Sequence, residues 1–307
     1  MTAVADQPPA GPSEAARLWA DHRQQAFALA YRMLGSVSDA EDVLQEAYLR
    51  LERTDVAGID EPGAWLSRIV SRLCLDHLRS ARVRRERYVG PWLPEPLIGA
   101  ADPGDTVELA ESLSTAFLIV LERLSPAQRV AFILHDVFGE DYASIARALG
   151  RTEVACRLLV ARGRAATRDG RPRREEDPRL GHAVATAFQA ACIDGDTGRL
   201  LELLAPDVVV RADGGGLVSS ARRPIHGADR AVRLLRGIFR KRGLPSAAAA
   251  VNGAPGLVIT GVDGRPAWVM SVTVDAGRVA ALHVVTNPQK LAHLANVPFA
   301  VTPHAPA

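Results

Sequence analysis

The spacing of apolar residues changes character once along this chain, and that change limits the folds open to it. From Glu14 to about Arg168 apolar residues recur every three to four positions, the helical period. Beyond two further helical stretches, at 179–193 and 197–204, the pattern becomes short β-rich runs: DVVVRAD, GLVIT, PAWVMSVTV and RVAALHVV, with the turns VDG and DAG between them. The charged, proline-bearing stretch RPRREEDP (171–178) divides the two patterns and reads as a linker. Helices first and strands afterwards predict separate units, all-α and then α+β on one curved sheet. The 307 residues suffice for two or three hydrophobic cores.

The helical part has punctuation of its own. Residues 14–34 form one predicted helix stopped by Gly35, and Ser38 is expected to cap a second, SDAEDVLQEAYLRLER, with Glu41 three residues on. After the loop TDVAGID comes a third, EPGAWLSRIVSRLCLDHLRSARVRR, with Pro62 in its first turn. Residues 88–107 carry Pro91, Pro94, Pro96 and Pro103 and must be irregular. Helical patterning resumes in TVELAESLSTAFLIVLERL from 106 and continues to about 170. The expected division is thus a helical domain at 11–87, a connector at 88–107, a second helical domain at 108–171 and an α+β domain at 178–295.

No apolar run reaches the roughly 18 residues of a membrane span, and the first residues lack the basic start and apolar middle of a signal peptide, so a cytoplasmic protein with no membrane partner is expected. Cys74, Cys156 and Cys192 stand far apart without zinc-type spacing, which predicts buried thiols and neither disulfide, metal nor other cofactor. The formal net charge is only +2, but RSARVRRER (79–87) and RLLVARGRAATRDGRPRR (157–174) concentrate arginine. Such runs are either solvated faces or nucleic-acid patches.

Spacing narrows the choice. DYASIARALGRTEVACRLLVARGR contains a short helix, a turn at Leu149 and Gly150, and a second helix capped by Thr152: a helix-turn-helix whose second helix would enter a major groove. Ile145, Leu149, Cys156 and Val160 would lock the pair, leaving Arg151, Thr152, Glu153, Arg157 and Arg164 exposed. On the third helix of the chain Trp65, Arg68, Arg72, Asp76 and Arg79 share a face, a basic surface beside an aromatic that suits phosphates and unstacked bases. The second helix has an acidic stripe, Asp39, Asp42 and Glu46, which would repel DNA and suits a protein partner or solvent.

SDAEDVLQEAYLRL followed by EPGAWLSRIVSRLCLDHLR resembles region 2 of bacterial RNA polymerase sigma factors of the extracytoplasmic-function (ECF) type, and SPAQRVAFILHDVFGEDYASIARALG resembles their region 4. The resemblance implies an alternative sigma factor that directs promoter-specific initiation, with core RNA polymerase and promoter DNA as partners. It implies that Asp39, Asp42 and Glu46 face polymerase, that Trp65, Arg68, Arg72 and Arg79 lie near the melted minus-ten strand, and that Arg151, Thr152, Glu153 and Arg157 read the minus-35 element. Leu158 and Leu159 depart from the polar residues many relatives carry in that helix.

The connector YVGPWLPEP (88–96) forbids a helix yet carries Tyr88, Trp92 and Leu93, side chains that ask to be covered. It is similar to the connector of the subgroup with a fused C-terminal SnoaL-like domain, often called sigma-J-like. Further marks of that subgroup are DGGG (Asp213, Gly214, Gly215, Gly216) and NPQKL (Asn287, Pro288 and Lys290 among it), where Gln289 replaces the Asp of the family motif and removes a charge. The resemblance implies a cone-shaped, NTF2-like domain that packs on region 2 and the connector and tunes activity without a dedicated anti-sigma protein. Two other functions remain open at this point: a one-component DNA-binding regulator with a small-molecule ligand in its C-terminal domain, or a polyketide-cyclase-like enzyme. For the enzyme the candidate bases are Asp213, His226 and His283. DGGG reads more simply as a tight turn, and His283 as a sheet histidine with its hydrogen bonds satisfied.

Overall fold

The computed structural model describes residues 13–99, 113–168, 177–242 and 245–299. The expected connector end at 100–107, the helix start at 106–112 and the linker at 171–176 lie outside the described residues.

The first three α-helices among the described residues are α1 (Glu14–Leu34), α2 (Val37–Glu52) and α3 (Pro62–Glu86). Gly35 ends α1 in the left-handed conformation at φ 65°, with its N–H on the Tyr31 carbonyl. The cap of α2 is Ser36, two residues earlier than expected: its side chain accepts from the Asp39 N–H. Ser38 is free for another bond because a carboxylate from the connector satisfies the first turn of α2. Among the described residues four helices follow, α4 (Thr115–Leu121), α5 (Pro126–Phe132, prolonged by a π-helical turn at Ile133–Val137), α6 (Tyr142–Leu149) and α7 (Glu153–Arg168). A capping box at Ser125 and Gln128 starts α5. Gly150, at φ 63°, closes α6, and Thr152 caps α7 by accepting the Ala155 N–H. This is the expected helix-turn-helix, locked by Ile145, Ala148, Cys156 and Val160, while Leu149 is only half-buried.

The C-terminal part begins with α8 (Pro178–Asp194) and α9 (Thr197–Leu203). Its sheet comprises β1 (Leu204–Asp213), β2 (Ile225–His226), β3 (Ser246–Val251), β4 (Ala254–Thr260), β5 (Pro266–Asp275) and β6 (Arg278–Val285). Between β2 and β3 lies α10 (Ala228–Arg242), a helix that the expectation of two helices and then strands missed. Its buried Ala231, Val232, Leu235 and Ile238 sit at helical spacing among arginines. The strand order is β2-β1-β6-β5-β4-β3, antiparallel except for the parallel pair β1–β6. A short helix, α11 (Pro288–Leu291), follows β6.

Alternation divides the sheet between two cores. One face, with Val208, Val210, Leu257, Met270, Leu282 and Val284, packs on Phe188, Leu200 and Leu235 of α8, α9 and α10. The opposite face presents Val258, Val269 and Val285 to connector Leu93, to Ile119 of α4, and to Leu291 and Leu294. The outer face of the sheet is therefore built into contact with the rest of the chain. The helical units also share a core: one buried cluster runs from Ala26 through Leu78 and on from Leu118 to Val160. Cys74, Cys156 and Cys192 are free and buried.

Candidate functional site

The connector is held from both sides. From the C-terminal side comes Asp213, at the end of β1 and with no exposed surface. Its carboxylate accepts from the Tyr88 hydroxyl at 2.6 Å, the Leu93 N–H at 2.8 Å, the Gly215 N–H at 3.1 Å and the Lys290 ammonium at 2.7 Å. Lys290 also donates to the Leu93 carbonyl, and its charge lies over the Trp92 and Tyr88 rings at 4.2 and 5.0 Å. Burial pushes the Lys290 pKa down to about 8, against the opposing pull of Asp213. Burial, then the bond to Asp213, pushes the Tyr88 phenol up. Asn287 caps α11 through the Gln289 N–H and donates to the Tyr88 hydroxyl at 2.8 Å.

Most of the motif residues have a physical task here. The Asp213 carbonyl takes the Thr286 and Asn287 N–H groups, which ties DGGG to NPQKL. Gly215 and Gly216 have φ of 60° and 75°, and a Cβ on Gly215 would overlap the Asn287 amide. Pro288 occupies the first turn of α11. Gln289 is exposed and contributes only its backbone N–H, so the missing charge is immaterial: the ion pair is Lys290–Asp213. Trp92 also carries the Arg85 guanidinium 3.7 Å above its ring, and Leu93 is fully buried.

The other side of the connector reaches α1 and α2 through residues that the sequence did not mark. Buried Glu95 accepts from the Val37 N–H at 2.7 Å, the Ser38 N–H at 3.2 Å and both serine hydroxyls, Ser36 and Ser38. A carboxylate at the start of α2 satisfies its orphan donors and complements the helix dipole. The Tyr31 hydroxyl donates to the Glu95 carbonyl and receives the Asn252 amide, both at 2.6 Å. Asn252, in the β3–β4 turn at φ 52°, also pairs with the Leu97 backbone. An acid between two prolines, PEP, was the one available signal for Glu95; Tyr31 and Asn252 gave none.

The two helical units meet through charge as well as packing. Glu122 after α4 pairs with Arg85 and, at 2.7 Å, with buried Arg129, whose guanidinium also donates to the Met33 carbonyl at 3.0 Å. Arg72 donates to the Ala148 carbonyl at 3.3 Å, so the basic face of α3 looks toward α6. Trp65 is half-buried against the shared core, and with Arg68, Arg147 and Glu140 it lines a cleft of about 380 Å³ between α3 and α6. Arg79 pairs with Asp76 in solvent. On α2, Asp42 and Glu46 are exposed and Asp39 is half-buried, opposite buried Val43, Ala47 and Leu51. Arg151 and Thr152 before α7, and Glu153, Arg157 and Arg164 on it, are all exposed. Arg157 pairs with Glu153, and Arg164 binds Asp136 through two nitrogens.

The three candidate catalytic groups stand in different surroundings. Asp213 is saturated by four donors, and His226 is exposed. His283 corrects the expectation of a satisfied histidine: it is buried, and among the described residues neither ring nitrogen has a hydrogen-bond partner. Burial, then the Arg211 guanidinium on the neighbouring strand, pushes its pKa down from 6.5 to about 3, so it is a neutral ring in the outer face of the sheet. Among the described residues no helix is long and apolar enough to cross a membrane.

Comparison with known proteins agrees with this geometry. The Sigma-70 region 2 family matches residues 18–84, and the Sigma-70, region 4 family matches residues 115–166. The ECF RNA polymerase sigma factor SigJ of Mycobacterium tuberculosis is 42% identical over 282 residues, covering 87% of this chain and 90% of the relative. The probable ECF RNA polymerase sigma factor SigI of the same species is 37% identical over 277 residues, 89% of this chain and 93% of the relative. The crystal structure of SigJ superposes with a TM-score of 0.72 at 38% identity, over 89% of this chain and 96% of that one. Both helical units and the appended α+β domain therefore have counterparts in a single relative, and the chain belongs to the ECF RNA polymerase sigma factors.

Proposed function

We propose that this alternative sigma factor, a partner of core RNA polymerase and promoter DNA, is restrained in cis by its C-terminal domain through the buried contact of Asp213 with Tyr88, Leu93 and Lys290. That contact is the observation that carries the reading. It fixes the connector, and the connector in turn holds α2 through Glu95. With the connector fixed, α3 and α6 stay together and Arg72 remains on the Ala148 carbonyl, so the two DNA-binding units cannot spread along a promoter. Release of the connector frees them. The acidic face of Asp39, Asp42 and Glu46 then meets polymerase, Trp65, Arg68, Arg72 and Arg79 meet the melted strand, and α7 meets the minus-35 element. The expected boundaries, 11–87, 88–107, 108–171 and 178–295, are retained as the working division. The protein works in the cytoplasm and regulates itself with no dedicated anti-sigma protein.

No observation favours the small-molecule reading of the C-terminal domain, because Phe188, Leu235, Leu257, Met270 and their neighbours fill the space between sheet and helices. Transcription in vitro with bacterial core polymerase tests the proposal, on the promoter upstream of the gene. The full chain is compared with Asp213→Asn and with a chain ending at Arg171. Restraint in cis requires both altered forms to give more transcript per bound polymerase than the full chain. Equal or lower transcript from both, at equal polymerase binding, refutes it.

A further inference from the structure

The outermost line of α7 is apolar. Val154 and Leu158 are 72% and 51% exposed, and Ala161 and Ala165 continue the line in solvent. These positions are i, i+4, i+7 and i+11, one stripe along a helix, and they lie opposite the buried stripe of Cys156, Val160, Gly163 and Thr167. The stripe is therefore the ridge that projects farthest from the domain.

The polar side chains stand beside this ridge and are engaged at its foot. Arg157 pairs with Glu153 at 3.2 Å and lies 5.1 Å above the Tyr142 ring, and Arg164 is held by Asp136 at 2.7 Å. Arg162 is exposed on the other flank. An apolar ridge between arginines complements one surface in particular: a major groove, whose walls are phosphates and whose floor carries thymine C5-methyl groups. A hydrophobic protein partner would leave the flanking guanidiniums facing apolar surface, whereas DNA gives each component a counterpart.

We infer that Val154 and Leu158 select thymine in the minus-35 element by packing on its methyl group, while Arg157, Arg162 and Arg164 hold the phosphates. The inference rests on the reading of α7 as the helix that enters the minus-35 major groove. It adds that base selection there is by apolar contact, in place of hydrogen bonding by the arginines.

The test uses the full chain in complex with core polymerase and its promoter, with each thymine of the minus-35 element replaced in turn by deoxyuridine, which removes one methyl group. At one or two positions binding should weaken about fourfold, the effect of burying a methyl group. Leu158→Ala and Val154→Ala, exposed changes that should leave the melting temperature unaltered, should each abolish the thymine preference at one position. Arg157→Ala should weaken thymine and deoxyuridine promoters equally. Equal binding of thymine and deoxyuridine at every position would overturn the inference while leaving promoter recognition intact. A preference that survives both alanine variants would overturn it too, as would loss of polymerase binding in those variants without DNA, which would make the ridge a polymerase contact. Failure of the wild-type complex to bind the promoter would remove the underlying reading and the inference together.

Discussion

Replacing Asp213 by Asn changes one oxygen into an amide nitrogen at the centre of the connector contact. The wild-type carboxylate has no exposed surface and serves four donors: Tyr88, Leu93, Gly215 and Lys290. In the variant the Oδ1 position can still accept from Tyr88 and Gly215, but an NH₂ group now faces the Leu93 N–H and the Lys290 ammonium, donor against donor. The ammonium, whose side chain is only 8% exposed, also loses its counter-charge. Breaking a buried ion pair on one side costs about 3–5 kcal/mol. If the whole cost falls on the docked state, even the lower figure shifts docking about 150-fold toward release. Denaturant unfolding of the full chain should show the stability loss, and cleavage of the connector by a low level of protease should show the opening. Lys290→Met, alone and combined with Asp213→Asn, completes a double-mutant cycle in which the combined loss should fall well short of the sum. An Asp213→Asn loss below about 1 kcal/mol, the scale of an exposed pair, or losses that simply add, would mean that this ion pair does not hold the connector.

Other substitutions probe separate contacts. Gly215→Ala forces a side chain into the left-handed region at φ 60° and against Asn287, so connector cleavage should accelerate and the chain should lose about 1–2 kcal/mol, measured by denaturant unfolding. Glu122→Gln leaves Arg85 and buried Arg129 facing one another without their shared carboxylate; a loss of about 3 kcal/mol in thermal unfolding is expected, and an unchanged melting temperature would contradict the joint. For His283 the sign of the pH effect is fixed. With a folded pKa of about 3 against 6.5 unfolded, the unfolded chain binds more protons between those values, so its contribution is present above pH 6.5 and is lost as pH falls. Between pH 7 and pH 5 the loss is about 2 kcal/mol, and it should vanish in His283→Leu, seen as a flatter plot of stability against pH.

Much of the molecule was legible because it is local. Helical periodicity, Gly35, Gly150, Thr152 and Pro62 mark helices within a few residues of themselves, and the alternation in RVAALHVV gives a strand in the same way. Leu93 and Trp92 announced themselves as apolar side chains in a stretch that cannot be a helix. Ser36 displaced Ser38 as a cap because Glu95, 59 residues from Ser36, supplies the bonds of that turn, and helix α10 was obscured by its arginines.

What the tertiary structure alone decided is how these pieces meet. Asp213 and Lys290 are 77 residues apart, and Tyr31 and Asn252 are 221 apart. Neither pair has a spacing that a sequence pattern could reveal. The same holds for the single core shared by the two helical units and for the outward stripe of α7 being left uncovered. Sequence periodicity says which face of an element is apolar, since that depends on a few adjacent residues. Which other element covers that face, and which charge enters a buried space to be neutralised there, depends on the path of the whole chain.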